Sequence, residues 1–128
     1  MNVFCLGSDE IDPLWNTFSH HLERLERDDR CCVVEVREDL REAKKQLWGL
    51  QDGPKVSGIV ITAIQGQTCE IWAACGSASQ RDMKAVHEQI ERWAREIGCT
   101  RMKFSGRRGW LKLFKEYRQT GITAEKEL

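Results

Sequence analysis

The sequence lacks any run of about 18 apolar residues, the length that a membrane-spanning helix needs. Its first residues carry neither a basic segment nor a long apolar one, so we expect no secretion signal and a chain that stays in the cytoplasm of the producing cell, without a membrane partner. The formal net charge is zero, because 20 basic residues balance 20 acidic ones. No global charge therefore draws this chain to nucleic acid or to anionic lipid.

Cysteine is abundant, with 6 residues, but the C-x-x-C pairs of structural zinc sites and thiol oxidoreductases are missing. Cys31 and Cys32 are adjacent, which is a poor geometry for one tetrahedral metal. We therefore expect no metal site and reduced, mostly buried thiols.

The length and composition indicate one folded domain. The chain has 128 residues, of which 41% are hydrophobic and 31% charged. A chain of this size buries roughly two-thirds of its unfolded surface on folding, which excludes disorder as its main state. We expect a single domain over residues 1–128.

Apolar residues recur at spacings of three and four along several segments, the pattern of amphipathic helices. Ser79 and Asp82 form a candidate capping box before the longest of these segments, and Gly98 can end it. The predicted helices cover 9–27, 35–45, 79–97 and 110–117.

Other segments alternate with the period of two that is typical of strands. Asp52-Gly53-Pro54 and Gly66 mark turns between the first three of these segments, which predicts an antiparallel meander. The predicted strands cover 46–50, 56–64, 68–75, 101–104 and 121–128. A meander followed by a β-α-β crossover predicts an α/β fold with a mixed central sheet and helices on both faces.

This order of elements resembles the GNAT acetyltransferase superfamily over nearly the whole chain, and within it the small GNAT-like proteins that bacteriophages encode. The resemblance rests on the hairpin at 47–58, the helix end at 93–99 and the block Gly106-Arg107-Arg108-Gly109-Trp110. It implies a GNAT-like fold.

In active members of the superfamily, acetyl-CoA lies where two parallel strands separate, and amides of a Gln/Arg-x-x-Gly-x-Gly/Ala turn hold its pyrophosphate at a helix N-terminus. The corresponding turn here contains a single glycine. If the cofactor binds, the resemblance assigns it to Gly76, Ser77, Ser79, Gln80 and Arg81. We expect instead that Ser79 and Asp82 satisfy the helix amides themselves, which favours a chain with no cofactor.

The catalytic marker of the superfamily is a tyrosine in the short last helix, which protonates the departing thiolate of CoA. Phe114 stands at the corresponding position here, and Tyr117 lies one helical turn away. Tyr117 is therefore the candidate acid if the chain is an active enzyme.

Three histidines carry no obvious site. His20 and His21 are neighbours on the first predicted helix, where side chains point about 100° apart and cannot chelate one metal. We expect a surface pair with His21 half-buried beside Phe18. His87 flanks the apolar stripe of the longest helix, and as a base it would need Glu88 or Glu91 as a partner.

Positive charge is concentrated near the C-terminus, where residues 101–118 hold seven basic residues and one acidic residue. Aromatic residues interleave with these bases. The candidate interface consists of Arg107, Arg108, Trp110, Lys112 and Lys115. An acidic patch on a partner protein, or on a second copy of the chain, suits this cluster better than nucleic acid.

Together these patterns favour a phage or prophage GNAT-fold protein without acetyltransferase activity, acting as a virion component or as an assembly-associated module that binds phage structural proteins or copies of itself. The alternative is an active acetyl-CoA-dependent N-acetyltransferase with an atypical pyrophosphate loop.

Overall fold

The computed structural model describes residues 2–27, 32–76, 79–105, 118–120 and 123–128. In these ranges the strands are β1 (Asn2–Leu6), β2 (Lys45–Asp52), β3 (Lys55–Gln65), β4 (Thr68–Gly76), β5 (Arg101–Ser105), β6 (Arg118–Thr120) and β7 (Thr123–Glu127). The α-helices are α1 (Trp15–Arg27), α2 (Val33–Arg41) and α3 (Gln80–Glu96).

The strands form one mixed sheet in the order β1-β2-β3-β4-β5-β7-β6. β1 pairs antiparallel with β2, β5 and β6 pair antiparallel with β7, and β4 pairs parallel with β5. The parallel pair is connected through α3, as a parallel crossover requires. The predicted mixed α/β class is therefore confirmed.

The chain divides into two compact units, and β3 and β4 contribute to both. The first unit comprises residues 1–62 and 73–78. Most of its buried apolar side chains belong to α1, α2, β2 and β3. The core consists of Leu6, Ile11, Phe18, Leu22, Leu25, Val36, Leu40, Leu47, Trp48, Leu50, Ile59, Val60 and Ile61.

One buried polar chain crosses this core. The Trp48 indole N–H donates to the Thr62 hydroxyl at 3.0 Å, and that hydroxyl donates to Gln46 Oε1 at 2.9 Å. Each buried polar atom of this chain therefore has a partner, as a core requires. The strand pattern does not predict on which face of the sheet Trp48 lies. In the structure its side chain is buried in the core.

Charged groups hold the two ends of the α1–α2 pair. Asp12 accepts hydrogen bonds from Arg37 and Arg41 of α2, each at 2.9 Å in its shortest contact, and these guanidinium groups lower the pKa of the Asp12 carboxyl. At the other end, Glu26 of α1 accepts the backbone N–H of Val33 at 2.9 Å. The carboxylate thereby satisfies one of the unpaired amides at the start of α2.

Backbones approach closely where β3 faces the end of β4. A Cβ built at Gly76 would lie 2.4 Å from the Cα of Gly58 and 2.4 Å from the carbonyl oxygen of Ser57. Gly76 also has a φ of 141°, a conformation that essentially only glycine adopts. Glycine is thus required where β4 ends.

The second unit comprises residues 63–72 and 79–128. Its described core consists of Ala63, Cys69, Ile71, Val86, Ile90, Ala94, Cys99, Met102 and Phe104. Burial raises the pKa of the Cys69 thiol to about 12, and it raises the pKa of Cys99 as well. These two thiols are therefore poor nucleophiles.

A buried charged cluster lies between α3 and β7 in this unit. Glu91 Oε1 is 2.8 Å from His87 Nε2 and is also in contact with the ammonium group of Lys126. Arg95 reaches the other carboxylate oxygen at 3.9 Å. His87 and Glu91 are only 6% and 8% exposed, so little water reaches them. Their polar contacts therefore come from the other groups of the cluster.

The structure corrects several sequence predictions. The helix expected over 9–27 begins at Trp15, after a 3₁₀ turn at Ser8–Glu10. The helix expected over 35–45 ends at Arg41, and β2 has already started at Lys45.

The predictions also miss β1, which pairs with β2 from Asn2↔Gln51 to Leu6↔Leu47. The predicted strand at 121–128 corresponds to β7, whereas β6, which pairs with β7, is not predicted. The predicted helix at 110–117 lies outside the described residues. Cys5 and Cys32 are exposed, against the expectation of mostly buried thiols.

Replacing Gly76 with alanine is expected to destabilise the protein by about 3 kcal/mol or more, because strain at a positive φ adds to a backbone clash. Gly53→Ala is the matched control: its φ is 62°, and a Cβ there meets nothing within 4 Å. We expect it to lose only about 1 kcal/mol. Urea denaturation measures both, and equal losses would contradict the close approach.

Replacing Glu91 with glutamine removes the anion that Lys126 and His87 share. Breaking a buried ion pair from one side typically costs about 3–5 kcal/mol, so we expect a loss of that order in the free energy of unfolding. The control is Glu88→Gln, which makes the same change at an exposed carboxylate of α3 three residues earlier. We expect this variant to change the free energy of unfolding little. Similar stability of the two variants would refute the cluster's role.

Candidate functional site

The parallel pairing of β4 with β5 stops before β4 itself ends. The register of β4 with β5 runs from Thr68↔Arg101 to Ile71↔Phe104, whereas β4 itself continues to Gly76. In open α/β sheets, ligands bind outside the carboxyl ends of parallel strands. The end of the paired region, at Ile71 and Phe104, and the start of α3 all lie in the second unit and are the candidate site.

The helix α3 begins with the cap that the sequence predicts. Ser79 has extended backbone angles, φ −68° and ψ 164°, and its Oγ accepts the backbone N–H of Asp82 at 3.2 Å. Its carbonyl accepts the backbone N–H of Met83 at 2.9 Å. Ser79 is therefore the N-cap of α3.

This cap engages only part of the helix terminus. The first amides of an α-helix have no acceptor within the helix, and one hydroxyl oxygen serves one of them here. Gln80 and Arg81 are the first two residues of α3, so the helix itself provides no acceptor for their N–H groups. The positive end of the helix dipole and the exposed guanidinium of Arg81 favour an anion there, and Asp82 in the same turn opposes it.

The structure describes only part of the predicted cofactor-binding set. Gly76 ends β4 in the first unit, and Ser79 and Arg81 are exposed in the second unit. For Gln80 the backbone is helical and the side chain is not described. Ser77 lies outside the described residues, as does Tyr117, the candidate acid.

The candidate interface also lies outside the described residues. Its five members are Arg107, Arg108, Trp110, Lys112 and Lys115. The pairing of this basic cluster with a partner protein or with a second copy of the chain stays a prediction.

A histidine that is expected to be half-buried in a surface pair is buried in the first unit. His21 of α1 is 8% exposed, and its Nε2 is 3.0 Å from the carbonyl oxygen of Val56 at the start of β3. Its ring lies against that of His20, with centroids 4.0 Å apart. Burial lowers the pKa of His21, and the bond to Val56 only partly opposes this.

The spacing of α1 contains the signal that would have placed His21 correctly. His21 follows Phe18 by three residues and precedes Leu25 by four, so it belongs to the buried row of the helix.

The described ranges lack two further kinds of feature. They contain no group of three or more histidine, cysteine, aspartate or glutamate residues that could hold a metal ion. None of the helices described there combines the length and the apolar character needed to cross a membrane.

Comparison with known proteins adds information at the level of the fold. No protein-family model matches the sequence, and no curated protein is significantly similar to it. Among solved structures, the PaiA N-acetyltransferase of Thermoplasma acidophilum in complex with coenzyme A matches with a TM-score of 0.71 and 12% identity, covering 100% of both chains.

Two further structures agree. The aminoglycoside 6'-N-acetyltransferase of Enterococcus faecium matches with a TM-score of 0.73 and 11% identity over 99% of this chain and 97% of its own. A GNAT family acetyltransferase from Elizabethkingia anophelis with acetyl-CoA bound matches with a TM-score of 0.62 and 13% identity over 71% of this chain and 81% of its own. The chain therefore has the GNAT acetyltransferase fold.

These matches correct the expectation that the chain uses no cofactor. Two of the matched proteins, which share this fold, were solved with coenzyme A or acetyl-CoA. Within the described residues, the Ser79 side chain engages one amide of α3, that of Asp82. The comparisons do not test the phage origin or the virion role, which stay predictions.

Replacing Ser79 with alanine removes the acceptor for the Asp82 amide, and we expect a loss of about 1 kcal/mol in the free energy of unfolding. Ser79→Asp supplies another good capping oxygen and should keep most of that stability. Urea denaturation compares the two variants. Wild-type stability in Ser79→Ala would mean that the hydroxyl does not cap α3.

Proposed function

We propose that this protein is an acetyl-CoA-dependent N-acetyltransferase that transfers an acetyl group to an amine. The observation that carries the proposal is the likeness to acetyltransferase structures over almost the whole chain, including one solved with coenzyme A over 100% of both chains. This function is favoured over the virion component that the sequence suggested.

The start of α3 suits the pyrophosphate of the cofactor. The amides of Gln80 and Arg81 point out of the helix terminus, and the exposed Arg81 guanidinium adds a positive charge. Ser79 fixes the direction of these amides by capping the next one. Gly76 and Ser77 precede this turn in the chain and complete the proposed binding segment.

The cofactor, when bound, supplies an acetyl group activated as a thioester. The protein's own contribution is to hold that group, to accept the proton that the amine loses and to protonate the departing thiolate. We assign the protonation of the thiolate to Tyr117, which follows by three residues Phe114, the residue at the position of the superfamily tyrosine. We assign the holding of the acetyl group to the segment from Gly76 to Arg81.

Calorimetry with acetyl-CoA tests the binding half of this proposal. We expect saturable binding with a Kd below about 100 μM. Arg81→Glu should abolish it, because a carboxylate would stand beside the pyrophosphate. Arg92→Glu makes the same charge change at an exposed position further along α3 and should leave binding intact.

Release of free CoA in the presence of primary amines tests the transfer half. Spermidine, tyramine and an amino-terminal peptide are suitable acceptors, and acetylated product is identified by mass spectrometry. The proposal fails if wild-type protein does not bind acetyl-CoA, or if it binds and acetylates none of these amines.

A further inference from the structure

The first strand of the chain presents an open edge. β1 (Asn2–Leu6) stands at one end of the strand order, and β2 is the one strand that pairs with it in the part of the chain that the structure describes. Alternate residues of such a strand turn their N–H and C=O groups away from the sheet. These groups are available to the backbone of another extended chain.

This edge lacks the usual protection against pairing. Proteins commonly protect an edge strand with charged side chains, a proline or a bulge. The sequence of β1 is Asn-Val-Phe-Cys-Leu, which contains neither a charge nor a proline. Its register with β2 advances one residue at a time from Asn2↔Gln51 to Leu6↔Leu47, so these pairs contain no bulge. The edge is therefore regular and unprotected.

The strand at the other end of the order shows the protection that β1 lacks. β6 (Arg118–Thr120) has only three residues, and the first of them is basic. β1 has five residues, among them a valine and a phenylalanine, which are residue types that favour strands. Of the two end strands, β1 is the one that suits pairing with a further strand.

The largest side chain of β1 does not block this edge. A Cβ built at Gly49 of β2 would overlap the ring of Phe4, so the ring lies across β2 and away from the outer side of β1. Leu6 is buried, and the side chain of Cys5 is exposed. An incoming strand therefore meets backbone groups and small side chains.

A second copy of this chain suits the edge by symmetry and by charge. Two identical antiparallel strands pair about a two-fold axis, and each offers the other the same pattern of donors and acceptors. When all five residues pair, Phe4 lies opposite Phe4 of the other copy, and Val3 lies opposite Cys5. No charged side chain of β1 faces another in this arrangement, so no like-charge repulsion opposes it.

We propose that two copies of this chain pair through their β1 edges, antiparallel and with Phe4 at the two-fold axis. The inference is independent of the proposed function. Five residues from each copy make a small interface, and interfaces below the standard size are weak. We therefore expect a dimer with a Kd on the order of 100 μM.

Sedimentation velocity at protein concentrations up to about 1 mM tests the proposal. The average mass should rise from that of one chain towards that of two. Cys5→Lys places a positive charge from each copy at the shared edge, so we expect Kd to rise by at least about tenfold. Val34→Lys adds the same charge on α2, at a side chain that is 75% exposed, and should leave Kd within about twofold of wild type.

A cysteine pair tests the register. Val3→Cys places a thiol directly opposite Cys5 of the other copy, at a separation of about 5 Å that a disulfide can span. Mild oxidation should then join two chains through positions 3 and 5, and mass spectrometry of the joined peptides identifies the link. The control combines Val3→Cys with Cys5→Ser and should give no such link.

Three results would overturn the proposal. The first is the mass of a single chain at about 1 mM, and the second is a dimer whose Kd stays unchanged in Cys5→Lys. The third is oxidised Val3→Cys protein without a link between positions 3 and 5 of two chains. Thermal unfolding checks the fold of each variant, and the cross-link decides alone if Cys5→Lys does not fold.

Discussion

One side-chain hydrogen bond caps the start of α3. In it, the hydroxyl oxygen of Ser79 accepts a single backbone N–H, that of Asp82. A helix terminus presents several amides, so this cap stabilises the helix without consuming its capacity for an anion. The sequence shows the same serine and aspartate, but it does not show how many amides they satisfy. That difference separates a closed helix end from a candidate binding site.

Periodicity in the sequence predicts α3 and the strands from β2 to β5 within a few residues. The pattern works there because each element buries one face, such as Val86, Ile90 and Ala94 of α3. It fails at the N-terminus, where β1 is a short edge strand whose partner, β2, lies far along the chain. It also extends α1 too far, because the segment up to Pro13 forms turns before the helix begins at Trp15.

Candidate site residues are harder to predict than elements, because their role depends on partners distant in sequence. The sequence predicts a half-buried His21, but it does not show the hydrogen bond to the carbonyl of Val56, 35 residues away. His87 likewise becomes part of a buried network only through Glu91 and Lys126. The first contact joins α1 to β3, and the second cluster joins α3 to β7.

The central claim is that the amides of Gln80 and Arg81 bind the pyrophosphate of a CoA thioester. A titration of ¹⁵N-labelled protein with coenzyme A tests it most directly, with the backbone amide resonances as the readout. The account predicts saturable shifts at Gln80 and Arg81, larger than the shift of the Asp82 amide that Ser79 already engages. Resonances of Gln80 and Arg81 that stay unchanged at saturating coenzyme A would contradict it.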